Sequence, residues 1–365
     1  MSHTVILAGG GTGGHVYPAL AMGDALRARG HTVHYFGDAA RLEGRVAAPR
    51  GYRFRAVDAT AFPRAGLLGK VAFAWRLLRA VVATRAMLRE ERATLVLGVG
   101  GYVMAPTVLA AWSLGIPSVI HEANVHPGLA NRLCARVARL VLLTYPQTAA
   151  HLPGRAERVT VGCPVNPRIP EGVRAEAAAR YGLDPARPTL LVVGGSLGAR
   201  TINEVGIAAA RQGSASGAFQ VIHVTGPKYL EEVRAAYGEV PCGTALVGYE
   251  DRMQDAFAAS DLVVCRSGSS TLAELCAVGR ASVLVPSPNV TDNHQEGSAR
   301  GLERVGAARV FVEHGLDVSA VVASCAELLA DPVALARMGD AARALGRLDT
   351  AEQVAGLVEA RFPAS

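Results

Sequence analysis

The sequence has few aromatic and few charged residues, and it lacks the cysteine pairs that build disulfide or zinc frameworks. Aromatic residues make up 5% of the 365 residues and charged residues 19%, while half of the chain is hydrophobic. A chain this apolar is neither disordered nor a polyelectrolyte. The six cysteines are scattered without a CxxC pair, which predicts reduced, mostly buried thiols.

No targeting signal is expected, and one uncharged stretch has to be weighed as a membrane span. The first ten residues, MSHTVILAGG, lack a basic region and their apolar run stops at glycines, so no signal peptide is expected. Residues 93–120 contain no charge and are numerous enough to cross a membrane. Glycines and prolines divide this stretch into strand, loop, helix and strand. Buried α/β core is therefore the favoured interpretation, and a spanning helix is the alternative.

Short apolar runs alternate with amphipathic segments along the chain, which is typical of a parallel sheet covered on both faces. The alternation is interrupted by the proline-rich residues 162–170, restarts near Leu190 and gives way to helices alone from about Val318. The predicted fold class is α/β, with two doubly wound, Rossmann-like domains facing each other across a cleft. Ligands are expected at the carboxyl ends of the strands.

The predicted domains are residues 1–164, residues 165–345 and a C-terminal helix over 346–365, which we expect to pack back toward the first domain. Charge divides in the same way. Residues 1–164 carry 19 Lys/Arg against 8 Asp/Glu, whereas residues 165–365 carry 18 against 23. The basic first half is expected to face something anionic.

The first strand leads into a glycine loop, residues 9–14, followed by His15 at a predicted helix start. Glycines let a backbone approach a phosphate closely, and the helix start adds N–H groups and a positive dipole end. The spacing also fits GxGxxG, and Asp38 follows the second strand, so a nicotinamide-dependent dehydrogenase stays open. His15 is a candidate general base, with a helix-capping histidine as the alternative.

The second half repeats this device twice. In residues 194–200, Ser196 either caps the following helix or binds a phosphate oxygen. In residues 265–274, the hydroxyls of Ser267 and its neighbours surround a third helix start, and Glu274 is placed to accept ribose hydroxyls. An ordinary helix cap with an early carboxylate is the alternative. One phosphate loop in each domain favours transfer between two phosphorylated partners.

Three further loops carry polar groups after predicted strands. Residues 292–295, Asp-Asn-His-Gln, suit sugar hydroxyls. Residues 98–102 form another glycine loop. In residues 121–124, His121 and Glu122 are candidates for acid–base chemistry, and Asn124 is a candidate for orienting a sugar.

Residues 59–89 contain six bases and no acid, interleaved with bulky apolar side chains. This composition predicts a basic amphipathic helix on anionic lipid, with a packed helix and snorkelling arginines as the alternative. The residues predicted to contact the membrane are Arg64, Lys70, Phe73, Trp75, Arg76 and Arg79.

Together these loops resemble one family of bacterial enzymes over almost the whole chain. The stretches that carry the resemblance are GGTGGHVYPAL (10–20), GVGGYV (98–103), HEAN (121–124), PGLANR (127–132), GGSLGA (194–199), CRSGSSTLAE (265–274) and DNHQ (292–295). The family is that of the UDP-N-acetylglucosamine:undecaprenyl-diphospho-muramoylpentapeptide β-N-acetylglucosaminyltransferases, which make lipid II.

The resemblance implies a GT-B fold and inverting transfer of N-acetylglucosamine from UDP-GlcNAc to the 4-hydroxyl of the muramoyl sugar of lipid I. It also implies a peripheral place on the cytoplasmic face of the cell membrane, where the basic residues 59–89 would meet the anionic phospholipid surface. The implied role is in peptidoglycan synthesis, on which cell shape and cell division depend. The expected protein partners are other cell-wall synthesis proteins, and no nucleic acid is expected to bind.

Matching positions imply roles for single residues. His15 matches the proposed base, and Glu250 stands where the family's backbone reads uracil. The implied donor-binding residues are Thr12, Gly13, Gly14, Asn124, Ser196, Glu250, Ser269, Ser270, Thr271, Glu274 and Gln295. The expected acceptor-binding residues are Gly10, Gly11, Gly100, Gly101 and Tyr102.

The chain departs from the family pattern at a few positions. Ala123 replaces a glutamine, Ser298 stands where asparagine is common, and Asn166 stands where an arginine is expected. Arg168, two residues on, is the candidate donor-binding replacement for that arginine.

The implied reaction is a direct displacement with His15 as the base and Glu122 as the second choice. The sequence has no Asp-x-Asp, so we expect no metal and no cofactor. A dehydrogenase, another UDP-sugar transferase or epimerase, and a membrane-docked nucleotide-sugar sensor remain alternatives.

Overall fold

The structure is a computed structural model that describes residues 2–59, 66–288 and 294–363. The chain forms two units, Met1–Asn166 together with Leu348–Ser365, and Pro167–Arg347. The chain passes from the first unit to the second after Asn166, two residues beyond the predicted boundary at residue 164. The C-terminal segment belongs to the first unit.

The first unit is built on a seven-stranded parallel sheet. Its strands are β1 (Thr4–Gly9), β2 (Thr32–Gly37), β3 (Arg53–Ala56), β4 (Leu95–Gly100), β5 (Ser118–Glu122), β6 (Leu140–Leu143) and β7 (Glu157–Thr160). Their order is β3-β2-β1-β4-β5-β6-β7. The chain therefore reverses its winding direction between β1 and β4, which brings the loops after these two strands together.

Helices cover this sheet, so the apolar runs of its central strands are buried. They are α1 (Gly13–Ala28), α2 (Leu42–Val46), α3 (Leu67–Glu90), α4 (Met104–Ser113), α5 (Leu129–Cys134) and the C-terminal α14 (Thr350–Arg361). Val5, Ile6 and Leu7 of β1 are fully buried. The uncharged residues 93–120 form β4, α4 and the start of β5, which confirms their interpretation as buried core.

Helix α14 packs on α1 through ion pairs. Arg29, just after α1, pairs with Glu352 at 3.1 Å and with Glu359 at 2.6 Å. Arg361 pairs with Glu157, the first residue of the outer strand β7 of the same unit, at 2.8 Å. These contacts hold the C-terminal segment against the first unit.

The second unit has a six-stranded parallel sheet of the same kind. Its strands are β8 (Thr189–Val193), β9 (Gln220–Val224), β10 (Thr244–Val247), β11 (Leu262–Cys265), β12 (Ala281–Leu284) and β13 (Ala308–Val310), in the order β10-β9-β8-β11-β12-β13. Its helices are α6 (Arg174–Arg180), α7 (Arg200–Ser216), α8 (Leu230–Tyr237), α9 (Met253–Ala259), α10 (Ser269–Val278), α11 (His294–Arg304), α12 (Val318–Leu329) and α13 (Pro332–Arg343).

The prediction of two doubly wound parallel-sheet units is confirmed. Strand β13 has only three residues, too few to show a period, and it is recognisable only by its pairing with β12. Within the described part of the chain, no single helix is both long and apolar enough to cross a membrane. Helices α12 and α13 meet that criterion only as a pair, and they are bent by 98° relative to each other.

Candidate functional site

The two glycine loops of the first unit lie against each other, because they follow the neighbouring strands β1 and β4. The Gly10 amide donates to the Gly100 carbonyl at 3.3 Å. Gly101 has a φ of +80°, and a side chain there would overlap the Gly10 carbonyl. Tyr102, 40% exposed, lies beside Gly11. The structure thus joins the predicted acceptor-binding residues into one surface.

His15 lies at this surface, in the first turn of α1 after the N-cap residue Thr12. Its Nδ1 is 3.1 Å from the Gly10 carbonyl oxygen. A carbonyl can only accept, so Nδ1 carries the proton and Nε2 keeps its lone pair. The ring packs on Gly100, where a Cβ would lie 2.6 Å from the His15 Cδ2. Burial lowers the pKa of His15, which favours the neutral imidazole that a general base requires.

Glu122, the second candidate base, is held differently. It is 1% exposed and accepts from the backbone of Asn124 at 2.9 Å, the backbone of Gly128 at 3.1 Å and the side chains of Asn124 and Asn131. Burial raises its pKa, against the effect of these donors. Both Glu122 oxygens accept hydrogen bonds that fix the turn after β5, and one of these bonds is donated by the side-chain amide of Asn124.

His121 is buried beside this turn. Its Nε2 lies 3.0 Å from the Gly162 carbonyl oxygen, and burial lowers its pKa to about 4. The imidazole is therefore neutral at pH 7, and its Nε2 donates to the backbone carbonyl of Gly162. Its buried Nδ1 makes no hydrogen bond to a described residue.

In the second unit, α10 begins directly after β11 and a glycine turn. Gly268 is its N-cap residue, and Ser269, Ser270 and Thr271 form its first turn. The N–H groups of a first turn have no partner within their own helix and lie at the positive end of the helix dipole. The start of α10 therefore suits a phosphate, as predicted from residues 265–274.

Glu274 lies on the second turn of α10, and its side chain is half-buried. Its carboxylate makes no hydrogen bond to any described residue. Burial raises its pKa to about 7. A carboxylate that has lost hydration without gaining donors is suited to accept hydrogen bonds from a ligand.

Several contacts tie the strand-end loops of this unit to one another. Arg266 donates to Glu313 at 2.6 Å and to the Val285 carbonyl at 3.1 Å, and Thr201 at the start of α7 donates to the same Glu313. Gln295 accepts from Ser267 through its backbone carbonyl at 2.9 Å and from the Ser287 amide through its side chain at 3.0 Å.

Three predicted donor-site residues have unexpected surroundings. The N-cap of α7 is Ala199, so Ser196 lies in the glycine loop before the helix and is not its cap. The buried Glu250 carboxylate is bound by Arg180 at 3.0 Å and Tyr181 at 2.7 Å, and although burial opposes it, these donors lower its pKa. Arg168 is 80% exposed and pairs with Glu171 at 2.8 Å.

The helix predicted to dock on lipid is α3, and it has two faces. Ala80, Thr84 and Leu88 are buried against the unit. Opposite them runs an exposed apolar stripe, at spacings of four, three and four residues, formed by Val71, Trp75, Leu78 and Val82. Lys70, Arg76 and Arg79 are exposed beside it, whereas Phe73 is half-buried. Trp112 of α4, which packs on α3, is 60% exposed.

Three predicted residues, Arg64, Asp292 and Asn293, lie outside the described residues. Sequence reasoning also missed three residues that are within them. Glu313 is distant in sequence from Arg266 and Thr201, which it joins, and Trp112 lies on α4, outside the basic segment 59–89. Glu43 had one signal: it is among only eight acids in residues 1–164, and it follows β2 closely.

Comparisons with known proteins cover both units. Residues 5–143 match the glycosyltransferase family 28 N-terminal domain, and residues 189–354 match the family 28 C-terminal domain. The chain is 44% identical to the "UDP-N-acetylglucosamine--N-acetylmuramyl-(pentapeptide) pyrophosphoryl-undecaprenol N-acetylglucosamine transferase" of Clavibacter sepedonicus, over 97% of this chain and 95% of that one. It is 43% identical to the protein of the same name from Halorhodospira halophila, over 98% of both.

Solved structures show the same relationship. The crystal structure of Acinetobacter baumannii MurG matches with a TM-score of 0.71 and 27% identity, covering 99% of this chain and 100% of that one. These matches confirm the GT-B fold class. They also set aside the dehydrogenase alternative, which left the second glycine loop without a role. The chain belongs to glycosyltransferase family 28, and within it to the UDP-N-acetylglucosamine--N-acetylmuramyl-(pentapeptide) pyrophosphoryl-undecaprenol N-acetylglucosamine transferases.

Proposed function

We propose that this protein transfers N-acetylglucosamine from UDP-GlcNAc to the 4-hydroxyl of the muramoyl sugar of undecaprenyl-diphosphate-linked lipid I, with inversion, giving lipid II for peptidoglycan synthesis. The observation that carries the proposal is Glu274. Its carboxylate, without a described partner, lies close to a helix start suited to phosphate, in the unit that matches the family 28 C-terminal domain.

The donor occupies the second unit in this proposal. The ribose hydroxyls donate to Glu274, and the diphosphate lies at the α10 start with Ser269, Ser270 and Thr271. The side chain of Glu250 is fully used inside the unit, so it serves to fix its own loop, and the backbone of that loop reads the base. The helix start and the loop at Ser196 offset the charge of the leaving UDP, and we propose that no metal is required.

The acceptor occupies the paired glycine loops of the first unit. Its 4-hydroxyl attacks the anomeric carbon and gives its proton to Nε2 of His15, while the bond from that carbon to the UDP oxygen breaks and UDP leaves. His15 is preferred over Glu122 as the base because its Nε2 makes no hydrogen bond to a described residue, whereas both Glu122 oxygens are engaged.

We further propose that the protein lies on the cytoplasmic face of the membrane through α3. The exposed stripe from Val71 to Val82 supplies apolar burial, and Lys70, Arg76 and Arg79 supply attraction to anionic headgroups. A packed helix alone would not leave Trp75 62% exposed. This placement brings the lipid-linked acceptor to the basic unit.

The test is turnover of purified protein with UDP-GlcNAc and a lipid I analogue, followed by mass spectrometry of the product. We expect transfer of one N-acetylglucosamine, with UDP-GlcNAc preferred over UDP-GalNAc and no binding of NADH. Binding of UDP-GlcNAc without turnover would instead support a sensor. Formation of an epimerised nucleotide sugar without transfer would support an epimerase.

A further inference from the structure

A buried carboxylate lies directly beneath the first glycine loop. Glu43, in the first turn of α2, is 0% exposed. Its Oε2 accepts from the Gly11 amide at 3.1 Å, and its Oε1 accepts from the Asp38 amide at 3.2 Å. No lysine, arginine or histidine of the described chain forms an ion pair with it. Among the described residues, Glu43 is therefore a buried carboxylate held by backbone N–H groups alone, and burying such a group without a cationic partner is costly.

The surrounding glycines are shaped around this side chain. A Cβ at Gly10 would overlap the Glu43 carboxylate, and a Cβ at Gly37 would lie 2.6 Å from the Glu43 Cγ. The carboxylate thus fills the space between the ends of β1 and β2. It fixes the peptide of Gly10 and Gly11 from below.

That same peptide orients His15. The Gly10 carbonyl accepts from Nδ1 of His15 and so leaves Nε2 unprotonated. Besides Glu43, the titratable and charged side chains around the loop are Asp38, His121, Tyr102, Arg41 and Tyr35. The Asp38 carboxylate pairs with Arg41 at 3.5 Å. His121 is neutral, and Arg41 lies over the exposed Tyr102 ring, 5.8 Å from its centre. Glu43 is therefore the buried negative charge of this group, and its charge favours the protonated form of His15.

We propose that Glu43 is a positioning residue for the transferase reaction proposed above. It holds the turn at Gly10 and Gly11 so that the Gly10 carbonyl selects the reactive tautomer of His15. It also places a negative charge behind the imidazole, which stabilises the imidazolium formed when His15 accepts the acceptor proton. The arrangement parallels the carboxylate behind a catalytic histidine, but it acts through a backbone carbonyl.

Glu43→Gln is the decisive variant. Oε1 of Glu43 also accepts from the Gly11 amide, at 3.3 Å, so a glutamine carbonyl oxygen in its place can accept from both Gly11 and Asp38 while the charge is lost. In protein labelled at histidine, NMR should show His15 with a lower pKa in Glu43→Gln than in wild type. The acid limb of the kcat–pH profile should move to lower pH. We expect kcat to fall about 10- to 100-fold, by analogy with removing the outer-shell carboxylate partner of a metal-bound histidine, with KM for UDP-GlcNAc unchanged.

The matched control is Glu91→Gln, which removes another buried carboxylate of the same unit, one bound by Arg53 and Arg55. It should leave the His15 titration unchanged. If Glu43→Gln does not fold, Gly10→Ala should displace the carboxylate and lower the His15 pKa in the same way. An unchanged His15 pKa and tautomer in a folded variant would overturn the proposal. The titration needs no turnover, so it tests Glu43 even if lipid I is not the acceptor.

Discussion

Glu274 leads to a prediction about pH and donor affinity. Its pKa of about 7 reflects burial without hydrogen-bond donors. A ribose diol donates to the ionised carboxylate, so UDP-GlcNAc should bind that form. With a pKa near 7, about nine-tenths of the carboxyl is protonated at pH 6 and about one-tenth at pH 8. The donor Kd should therefore be about tenfold higher at pH 6 than at pH 8, which is a loss of about 1.4 kcal/mol of binding free energy.

UDP-GlcNAc suits this assay because neither of its phosphates titrates between pH 6 and 8, unlike the terminal phosphate of UDP. Calorimetry in buffers of different ionisation enthalpy should show release of about half a proton per donor bound at pH 7. Glu274→Gln keeps the size of the side chain but loses its charge. We expect it to bind the donor about 1.5–3 kcal/mol more weakly at pH 8, with no difference between pH 6 and 8.

In the absence of donor, Glu274→Gln should stabilise the protein, although it weakens donor binding. A carboxyl whose pKa is higher in the folded than in the unfolded state costs stability as pH rises from the unfolded to the folded value, here from 4.5 to about 7. Glu274→Gln should therefore raise the thermal midpoint of the free protein at pH 8 and raise it less at pH 5. A wild-type Kd that is equal at pH 6 and 8, with no proton release, would refute this account of Glu274.

Three further outcomes are expected. His15→Ala should lower kcat by roughly 10²–10⁴-fold while UDP-GlcNAc binding persists; near-normal turnover would transfer the base role to Glu122 or another group. Arg76→Glu/Arg79→Glu should weaken co-sedimentation with anionic vesicles by at least about 2 kcal/mol, roughly 30-fold. The control Arg337→Glu/Arg347→Glu makes the same charge change in the second unit and should not weaken it. Equal binding of the wild type and both variants would show that α3 is an ordinary packed helix. Excess EDTA should leave turnover unchanged, because the α10 start offsets the charge of UDP; loss restored by Mg²⁺ would contradict this.

The candidate site depends on contacts that no local pattern contains. Gly10 and Gly11 were identified as glycines that admit a phosphate, but Gly10 also makes room for Glu43, 33 positions further along the chain. Glu122 and Glu274 look alike in sequence, each a carboxylate after a strand. In the fold one is enclosed by four donors and the other has none among the described residues. Ser196 resembled a helix cap, yet α7 begins later.

The sequence by itself determined the two doubly wound units, the glycine loops and the amphipathic character of α3. These features depend on the periodicity of apolar residues and on the backbone freedom of glycine, and both act over a few residues. It left open which carboxylate is enclosed, which nitrogen of His15 carries the proton, and which apolar side chains of α3 face outward. Tertiary structure decided these points because burial and hydrogen bonding depend on neighbours from distant parts of the chain, and those neighbours set both the pKa of a group and the lone pair left for chemistry.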